Sequence, residues 1–185
     1  MPDKEWILKR TVVLVGMMGA GKTAVGKALA RDLGVAFRDS DDEIEAAAGM
    51  KIAEIFARDG EAFFRDRETE ILGRLLKGAP AILSTGGGAW LSERNRRLVA
   101  RHGVSVWLKV DLDLLWERVR HKDTRPLLRT PDPRATLAEL YARRLPYYEK
   151  ADIAVEARPE YSVQDMAAKV RKALARRPDI LEKVG

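Results

Sequence analysis

The sequence contains no cysteine and only two histidines, His102 and His121. Without thiols the chain cannot form disulfides, use a cysteine nucleophile or bind zinc through sulfur. The histidines lie far apart with no metal-ligand spacing around them, so they do not indicate a metal centre. No apolar run approaches the ~20 residues needed to span a bilayer, and the charged N-terminus lacks the apolar segment of a signal peptide. We therefore expect a cytoplasmic protein with no membrane partner.

The charge balance is mildly basic, with 34 Lys and Arg against 28 Asp and Glu, giving a net charge of +6. Such a charge suits an enzyme with anionic substrates as well as it suits a nucleic-acid-binding protein. The basic residues are spread along the chain rather than gathered in one stripe, so we expect no nucleic-acid partner. With 185 residues, the chain is expected to form one domain, 1–185, with its core at about 11–176.

Short apolar runs alternate with amphipathic helical patterns, which predicts an α/β fold with a parallel sheet. The predicted strands are 11–15, 36–39, 81–84, 104–108 and 153–155. The main predicted helices are 22–33, 61–76, 112–120, 135–150 and 162–176. Two stretches break this alternation. Residues 40–64 contain two short helical patterns, and 121–134 form a polar, proline-containing loop that is typical of a functional lid.

The segment Gly16-Met17-Met18-Gly19-Ala20-Gly21-Lys22-Thr23 fits the phosphate-binding pattern G-x-x-x-x-G-K-[ST]. It follows a predicted strand and precedes a predicted helix, which is the context this motif requires. The backbone amides and the helix N-terminus suit phosphate oxygens, Lys22 suits the β- and γ-phosphates, and the Thr23 hydroxyl suits Mg²⁺. The expected nucleotide-binding residues here are Gly19, Ala20, Gly21, Lys22, Thr23 and Ala24.

Further motifs indicate which molecule accepts the phosphoryl group. They are Asp39-Ser40-Asp41, Arg65 with Glu68, Gly86-Gly87-Gly88, Arg125-Pro126-Leu127-Leu128, and Arg143-Arg144-Leu145-Pro146. In order and spacing they resemble the shikimate kinase family over about Val12 to Val155. The resemblance implies a three-layer α/β/α fold of the P-loop NTPase type, with a five-stranded parallel sheet in the order 2-3-1-4-5. It also implies an acceptor-binding region at about 40–68, a lid at about 120–134 and a monomer.

The activity implied by the resemblance is transfer of the γ-phosphate of ATP, with Mg²⁺, to the 3-hydroxyl of shikimate on the route to chorismate and the aromatic amino acids. Arg65 and Arg144 would hold the shikimate carboxylate, an anion that suits the planar fork of arginine. Arg143 is the alternative to Arg144. Asp41 would accept hydrogen bonds from ring hydroxyls and draw the proton from the attacking one, and Gly86, Gly87 and Gly88 would let the backbone approach the substrate.

The resemblance also assigns residues that would bind Mg²⁺, residues that would contact the adenine ring, and an arginine in the lid. Asp39 would position Mg²⁺ together with Thr23, because the third predicted strand ends without a carboxylate. Arg118 would stack on adenine, with Arg120 as a competing candidate. Arg125 would stabilise the transferring phosphoryl group from the lid. A plainer interpretation of Asp39 and Asp41 is that they cap the following helix.

Two other functions remain open from the sequence. Another small-molecule P-loop kinase, for gluconate or a nucleoside monophosphate, would share the phosphate-binding loop but have a different acceptor site. A non-catalytic ligand sensor built on a kinase-like domain is the second alternative. The intact loop, Lys22 and Arg125 argue against that sensor, and about ten residues before the first strand leave no room for a helix-turn-helix there.

Overall fold

The computed structural model describes residues 5–121 and 129–184. Its strands are β1 (Trp6–Leu8), β2 (Thr11–Val15), β3 (Phe37–Asp39), β4 (Ile82–Ser84), β5 (Gly103–Lys109), β6 (Ile153–Glu156) and β7 (Leu181–Lys183). Its α-helices are α1 (Lys22–Leu33), α2 (Ser40–Ala48), α3 (Ile52–Leu76), α4 (Glu93–His102), α5 (Leu112–Val119), α6 (Pro133–Tyr148) and α7 (Val163–Ala175). A short 3-10 helix, Ala89–Leu91, lies between β4 and α4.

Five parallel strands form the central sheet in the order β3-β4-β2-β5-β6. Because β2 is the first predicted strand, this is the predicted order 2-3-1-4-5, and the predicted fold class is confirmed. Helices cover both sides of the sheet. Every residue of β2 is buried, as expected for a continuous β-branched and leucine run in the centre of such a sheet. The carboxyl ends of β2, β3 and β4 therefore lie side by side, where ligands of open α/β sheets bind.

The two helical patterns expected within 40–64 are present. The first is α2, and the second begins at Ile52 and runs into the helix predicted from residue 61. The two are joined at Gly60, whose φ of 86° and ψ of 171° are not helical. This conformation favours glycine and gives α3 an abrupt bend before Arg65.

Four elements were not predicted from the sequence, namely β1, β7, α4 and the 3-10 helix Ala89–Leu91. The strands β1 and β7 pair with each other antiparallel as a separate two-stranded sheet, with Trp6 opposite Lys183. The helix α4 connects the 3-10 helix to β5.

Across the described ranges, 5–121 and 129–184, no helix combines the length and apolarity required to span a membrane.

Candidate active site

A glycine-rich loop connects β2 to α1 and lines one side of the site. Its backbone turns at Gly19 and Gly21, whose φ angles are 82° and 90°, a region in which a residue with a Cβ is strained. Gly21 is the N-cap of α1, so the first amide groups of this helix have no acceptor within it. Such a helix start attracts phosphate through its free amides and partial positive charge. The loop has the geometry of a phosphate-binding cradle.

Lys22 is the first residue of α1, and its ammonium lies over the beginning of the loop. Its Nζ donates to the carbonyl oxygens of Gly16 at 2.6 Å and Met17 at 3.2 Å. Burial raises the pKa of both Asp39 and Asp41, and the Lys22 cation opposes that rise, which places it within electrostatic reach of the two carboxylates. The ammonium therefore lies between the phosphate-binding loop and the acidic side of the site.

Arg118, near the end of α5, also contacts this loop. Its guanidinium donates to the carbonyl oxygens of Gly19 at 3.1 Å and Ala20 at 3.4 Å, and burial lowers its pKa. The competing candidate, Arg120, is exposed and pairs with Glu117 at 3.6 Å. Of the two arginines, only Arg118 lies against the cradle.

Asp39 and Asp41 lie where β3 ends and α2 begins. Asp39 caps the helix, since its Oδ1 accepts from the amides of Asp41 at 2.9 Å and Asp42 at 3.2 Å, so the capping interpretation holds for this residue. Asp41 has no such capping role. Burial, together with the negative charges of Asp39 and Glu68, raises its pKa from 3.8 to about 6, against the opposing effect of nearby Lys22. The site therefore contains, beside the cradle, a carboxyl group whose pKa lies close to neutral pH.

The glycine run after β4 faces the three side chains that were predicted to bind the acceptor. A Cβ added to Gly86, Gly87 and Gly88 in turn would lie 2.6 Å from the Asp41 carboxylate, 2.7 Å from the Arg144 guanidinium and 2.5 Å from the Arg65 guanidinium. These separations are too short for real contacts, so only glycine allows all three side chains to lie against this backbone. One loop thereby brings together residues from α2, α3 and α6.

Arg65 is held by a buried network. Its Nη1 donates to the two oxygens of Glu68 at 3.0 and 3.2 Å, and the Glu68 side chain is only 2% exposed. Asn95 of α4 hydrogen-bonds Glu68 and donates to the Ala89 carbonyl at 3.0 Å. Burial raises the pKa of Glu68 while the Arg65 cation opposes that rise. The network fixes the guanidinium between α3 and the segment that follows the glycine run.

Arg144 lies on α6, with its neighbour Arg143 exposed. Tyr148 is one turn further along and is buried, and the Arg144 cation works against the burial that raises the tyrosine pKa. Within the described ranges, neither the buried Arg144 Nε nor the Tyr148 hydroxyl has a hydrogen-bond partner of good geometry. The guanidinium thus has a buried donor available for an acceptor such as a carboxylate.

A cavity of about 780 Å³ joins these parts. It is lined by residues 17–25, by Asp39 and Asp41, by 84–88, and by Arg118 and Arg144. Arg65 does not line the cavity but reaches its border at Gly88. Arg125 lies outside the described residues, as do residues 122–128 of the expected lid. All the other predicted site residues are therefore at this cavity or at its border.

One wall of the cavity, formed by the beginning of α7, was not predicted from the sequence. The wall residues are Tyr161, Ser162, Val163 and Met166. Ser162 caps the helix and forms a reciprocal capping box with Asp165. The spacing of Ser162 and Asp165 before an apolar run was a visible signal of a helix start, but nothing in it indicates that this helix start borders a nucleotide site.

The fold, with its cradle after the central strand β2 and a charged pocket beside it, defines the class of P-loop small-molecule kinases. The family model described as shikimate kinase matches residues 18–175, and the chain belongs to the shikimate kinase family.

Individual relatives agree with this family. The shikimate kinase of Cereibacter sphaeroides is 66% identical over 175 residues, which are 95% of this chain and 87% of that protein. The structure of a shikimate kinase from Acinetobacter baumannii in complex with shikimate aligns with a TM-score of 0.82 and 38% identity, covering 91% of this chain and 94% of the other. A gluconokinase from Sinorhizobium meliloti, with a TM-score of 0.54 and 22% identity over 91% of each chain, shares only the fold.

Proposed function

We propose that this chain transfers the γ-phosphate of ATP to the 3-hydroxyl of shikimate, giving shikimate 3-phosphate and ADP. One observation carries the proposal. A single cavity combines a phosphate-binding loop with a glycine run that faces one carboxylate and two guanidinium groups. Shikimate offers a carboxylate for the arginines and ring hydroxyls for Asp41. This reaction is a step in the biosynthesis of chorismate and the aromatic amino acids.

On the donor side, the cradle holds the ATP phosphates. The amides of the loop and the start of α1 point to the phosphate oxygens, and Lys22 neutralises the β- and γ-phosphates. Arg118 provides a cationic plane beside the cradle for adenine, opposite the wall formed by the start of α7. Arg125, from the lid region at 120–134, stabilises the charge that spreads over the transferring phosphoryl group.

Mg²⁺ fits the residues present. The Thr23 hydroxyl and the Asp39 carboxylate belong to the residues around one cavity, and Mg²⁺ is usually held by one or two such groups together with phosphates and waters. Among the described residues no cluster of three acidic or histidine side chains could form a metal site alone, and Thr23 and Asp39 would hold the ion together with the phosphates of the nucleotide. When bound, Mg²⁺ would supply positive charge that neutralises the charge developing on the phosphates.

On the acceptor side, residues 40–68 form the binding region together with the glycine run and α6. Arg65 and Arg144 bind the shikimate carboxylate through their planar forks. Asp41 orients the reacting hydroxyl and takes its proton as the oxygen attacks the γ-phosphorus. The burial that raises the pKa of Asp41 makes this carboxylate a better proton acceptor than an exposed one.

Substrate choice is the direct test. In a coupled assay of ADP formation, we expect turnover with shikimate to exceed turnover with gluconate or nucleoside monophosphates by at least about a hundredfold. The physical reason is that neither open-chain gluconate nor a nucleoside monophosphate matches a site built to hold a ring carboxylate against Arg65 and Arg144 while a ring hydroxyl faces Asp41. Turnover that is equal with gluconate, or independent of shikimate, would refute the assignment. Analytical ultracentrifugation tests the proposed monomer in the same preparation.

The pKa of Asp41 predicts the pH dependence. Since this pKa is raised to about 6, the carboxyl group becomes protonated below that pH and can no longer accept a proton. We expect kcat/KM for shikimate to fall about tenfold per pH unit below about pH 6. The measurement is a profile from pH 4.5 to 8 at saturating ATP, with the Asp41→Asn variant as control, whose residual activity should lack this decline. An acid limb near pH 4 instead would contradict the raised pKa.

A further inference from the structure

Trp90 has no part in the function proposed above, yet it lies close to the acceptor site. It follows Gly88 by two residues, within the short 3-10 helix, and is only 4% exposed. Its indole Nε1 donates to the carbonyl oxygen of Tyr147 at 2.7 Å. A tryptophan indole can only donate, and this one is directed at the backbone of α6, one turn beyond Arg144. Trp90 therefore connects the glycine run to the helix that carries Arg144.

The end of α6 needs such a connection. Pro146 lies inside this helix and has no amide hydrogen, so the carbonyl of Ala142 loses its intrahelical donor. The end of α6, which carries Arg144 and Tyr147, is consequently fixed by one fewer of its own hydrogen bonds. Contacts from outside the helix can compensate for that loss.

Arg96 of α4 completes the contact. Its Nη1 donates to the carbonyl of Trp90 at 2.7 Å, and its guanidinium lies 5.5 Å from the centre of the Tyr147 ring. The three residues Trp90, Arg96 and Tyr147, here named the Trp90 brace, join α4, the 3-10 helix and α6 by two hydrogen bonds and a cation–π contact.

The two acceptor-binding arginines are held in different ways. Arg65 has the buried carboxylate of Glu68 as a direct partner. Among the described residues no carboxylate pairs with Arg144. The position of the Arg144 guanidinium against Gly87 therefore depends on the position of the helix backbone itself.

We propose that the Trp90 brace positions Arg144 for the acceptor carboxylate. The proposal rests on the function proposed above. Trp90 is a positioning residue that acts through Arg144 and touches neither the reacting atoms nor ATP. Its loss should weaken shikimate binding and leave the phosphate cradle, which belongs to α1 and β2, unchanged.

Trp90→Phe tests the brace because it keeps a buried ring and removes the indole donor. We expect the KM for shikimate to rise about three- to tenfold, as for loss of one buried hydrogen bond, with kcat and the KM for ATP within about twofold. The Tyr147 carbonyl still accepts from the Lys150 amide at 3.1 Å, so any fall in melting temperature should reflect the smaller buried ring and not an unsatisfied carbonyl. Trp6→Phe, the same change in β1, should leave all three kinetic constants unaltered.

A double-mutant cycle separates positioning from a general structural effect. If Trp90 acts through Arg144, Trp90→Phe should change kcat/KM for shikimate by less than about twofold when made in an Arg144→Ala background. The same loss in both backgrounds, or an unchanged KM in Trp90→Phe alone, overturns the brace while leaving the kinase assignment intact. Failure of that assignment would appear earlier, as a wild-type enzyme without shikimate-dependent turnover, and would remove both proposals.

Discussion

Replacing Lys22 with alanine is expected to lower kcat by on the order of 10³-fold. Negative charge spreads over the γ-phosphoryl oxygens during transfer, and Lys22 is the cation at the first position of α1. Its Nζ lies 2.6 Å from the Gly16 carbonyl, which holds the ammonium at the beginning of the loop before any phosphate binds. An uncharged side chain there leaves the β- and γ-phosphates without this counter-charge in the transition state.

Lys27→Ala is the matched control. Lys27 lies five residues further along the same helix, is exposed, and has its Nζ 5.9 Å from the centre of the Phe37 ring. The control removes the same charge and the same aliphatic chain from α1 but not from the cradle. We expect its kcat to remain within about twofold of wild type. Both variants should be assayed at saturating ATP and shikimate, and their melting temperatures should be compared. Equal turnover in the two variants would refute the role of Lys22.

The central sheet was predictable because its signals are local. Each strand is a short apolar run between turn residues, and the helices between them show a regular apolar face. The run at β2 also precedes the G-x-x-x-x-G-K-[ST] pattern, which predicts a phosphate-binding loop and a helix directly after that strand. The spatial order of the strands came from the family resemblance, since periodicity alone does not give the neighbours of a strand.

The terminal strands β1 and β7 escaped prediction for a physical reason. Each is three residues long, and each is a strand only because the other lies beside it at the opposite end of the chain. Neither Trp6–Leu8 nor Leu181–Lys183 is long enough for an alternating pattern to stand out. Pairing between distant segments leaves no mark in a single sequence.

The helix α4 was missed because its composition is almost entirely polar, with Leu98 and Val99 as its longer apolar side chains. Its N-cap, Ser92, accepts from the Asn95 amide at 3.3 Å and was the one usable signal. The helix matters for the site because Asn95 supports Glu68. Glu68 in turn is buried and pairs with Arg65 at 3.0 Å, so it supports that guanidinium.

The candidate site also has one part that could be predicted from the sequence and one part that could not. The cradle is contiguous in sequence and could be recognised directly from Gly16 to Thr23. The acceptor pocket joins side chains from three helices to one glycine run, so only a family resemblance could bring Asp41, Arg65 and Arg144 together. Their proximity to the glycines, which leaves no room for a Cβ, is a packing property that no residue pattern could supply.

Asp41→Asn is expected to lower kcat by about 10²- to 10⁴-fold while ATP binding stays near the wild-type level. Asparagine keeps the size of the side chain and its place beside Gly86 but cannot take a proton from the attacking hydroxyl. In the proposed arrangement the ATP phosphates contact the cradle and Lys22 and not Asp41, so the substitution should leave their contacts in place. Initial rates give the first quantity, and titration calorimetry with ATP in the presence of Mg²⁺ gives the second.

The same substitution should also change the stability of the protein, and this change shows whether lost activity comes from lost chemistry or from unfolding. The pKa of Asp41 is about 6 in the folded protein, against an ordinary value of 3.8, so folding disfavours the ionised form. The associated stabilisation is full below about pH 4 and is lost as the pH rises through about 6. At pH 8 the wild-type protein therefore carries the cost of a partly buried charge, and neutral asparagine avoids it. We expect the melting temperature of Asp41→Asn to be higher by roughly 2–4 °C at pH 8 without ligands.

Turnover, ATP binding and melting temperature together distinguish three roles for Asp41. Lost turnover with retained ATP binding and a higher melting temperature identifies a proton acceptor at a destabilised active site. Lost ATP binding would instead move Asp41 to the metal site beside Asp39, and the division between acceptor and metal carboxylates would be wrong. A lower melting temperature with proportionally lost activity would make the residue structural. The Asp39→Asn variant provides the comparison, because asparagine can still cap α2 through its side-chain oxygen but lacks the negative charge, so Mg²⁺-dependent ATP binding should weaken while the helix start is kept.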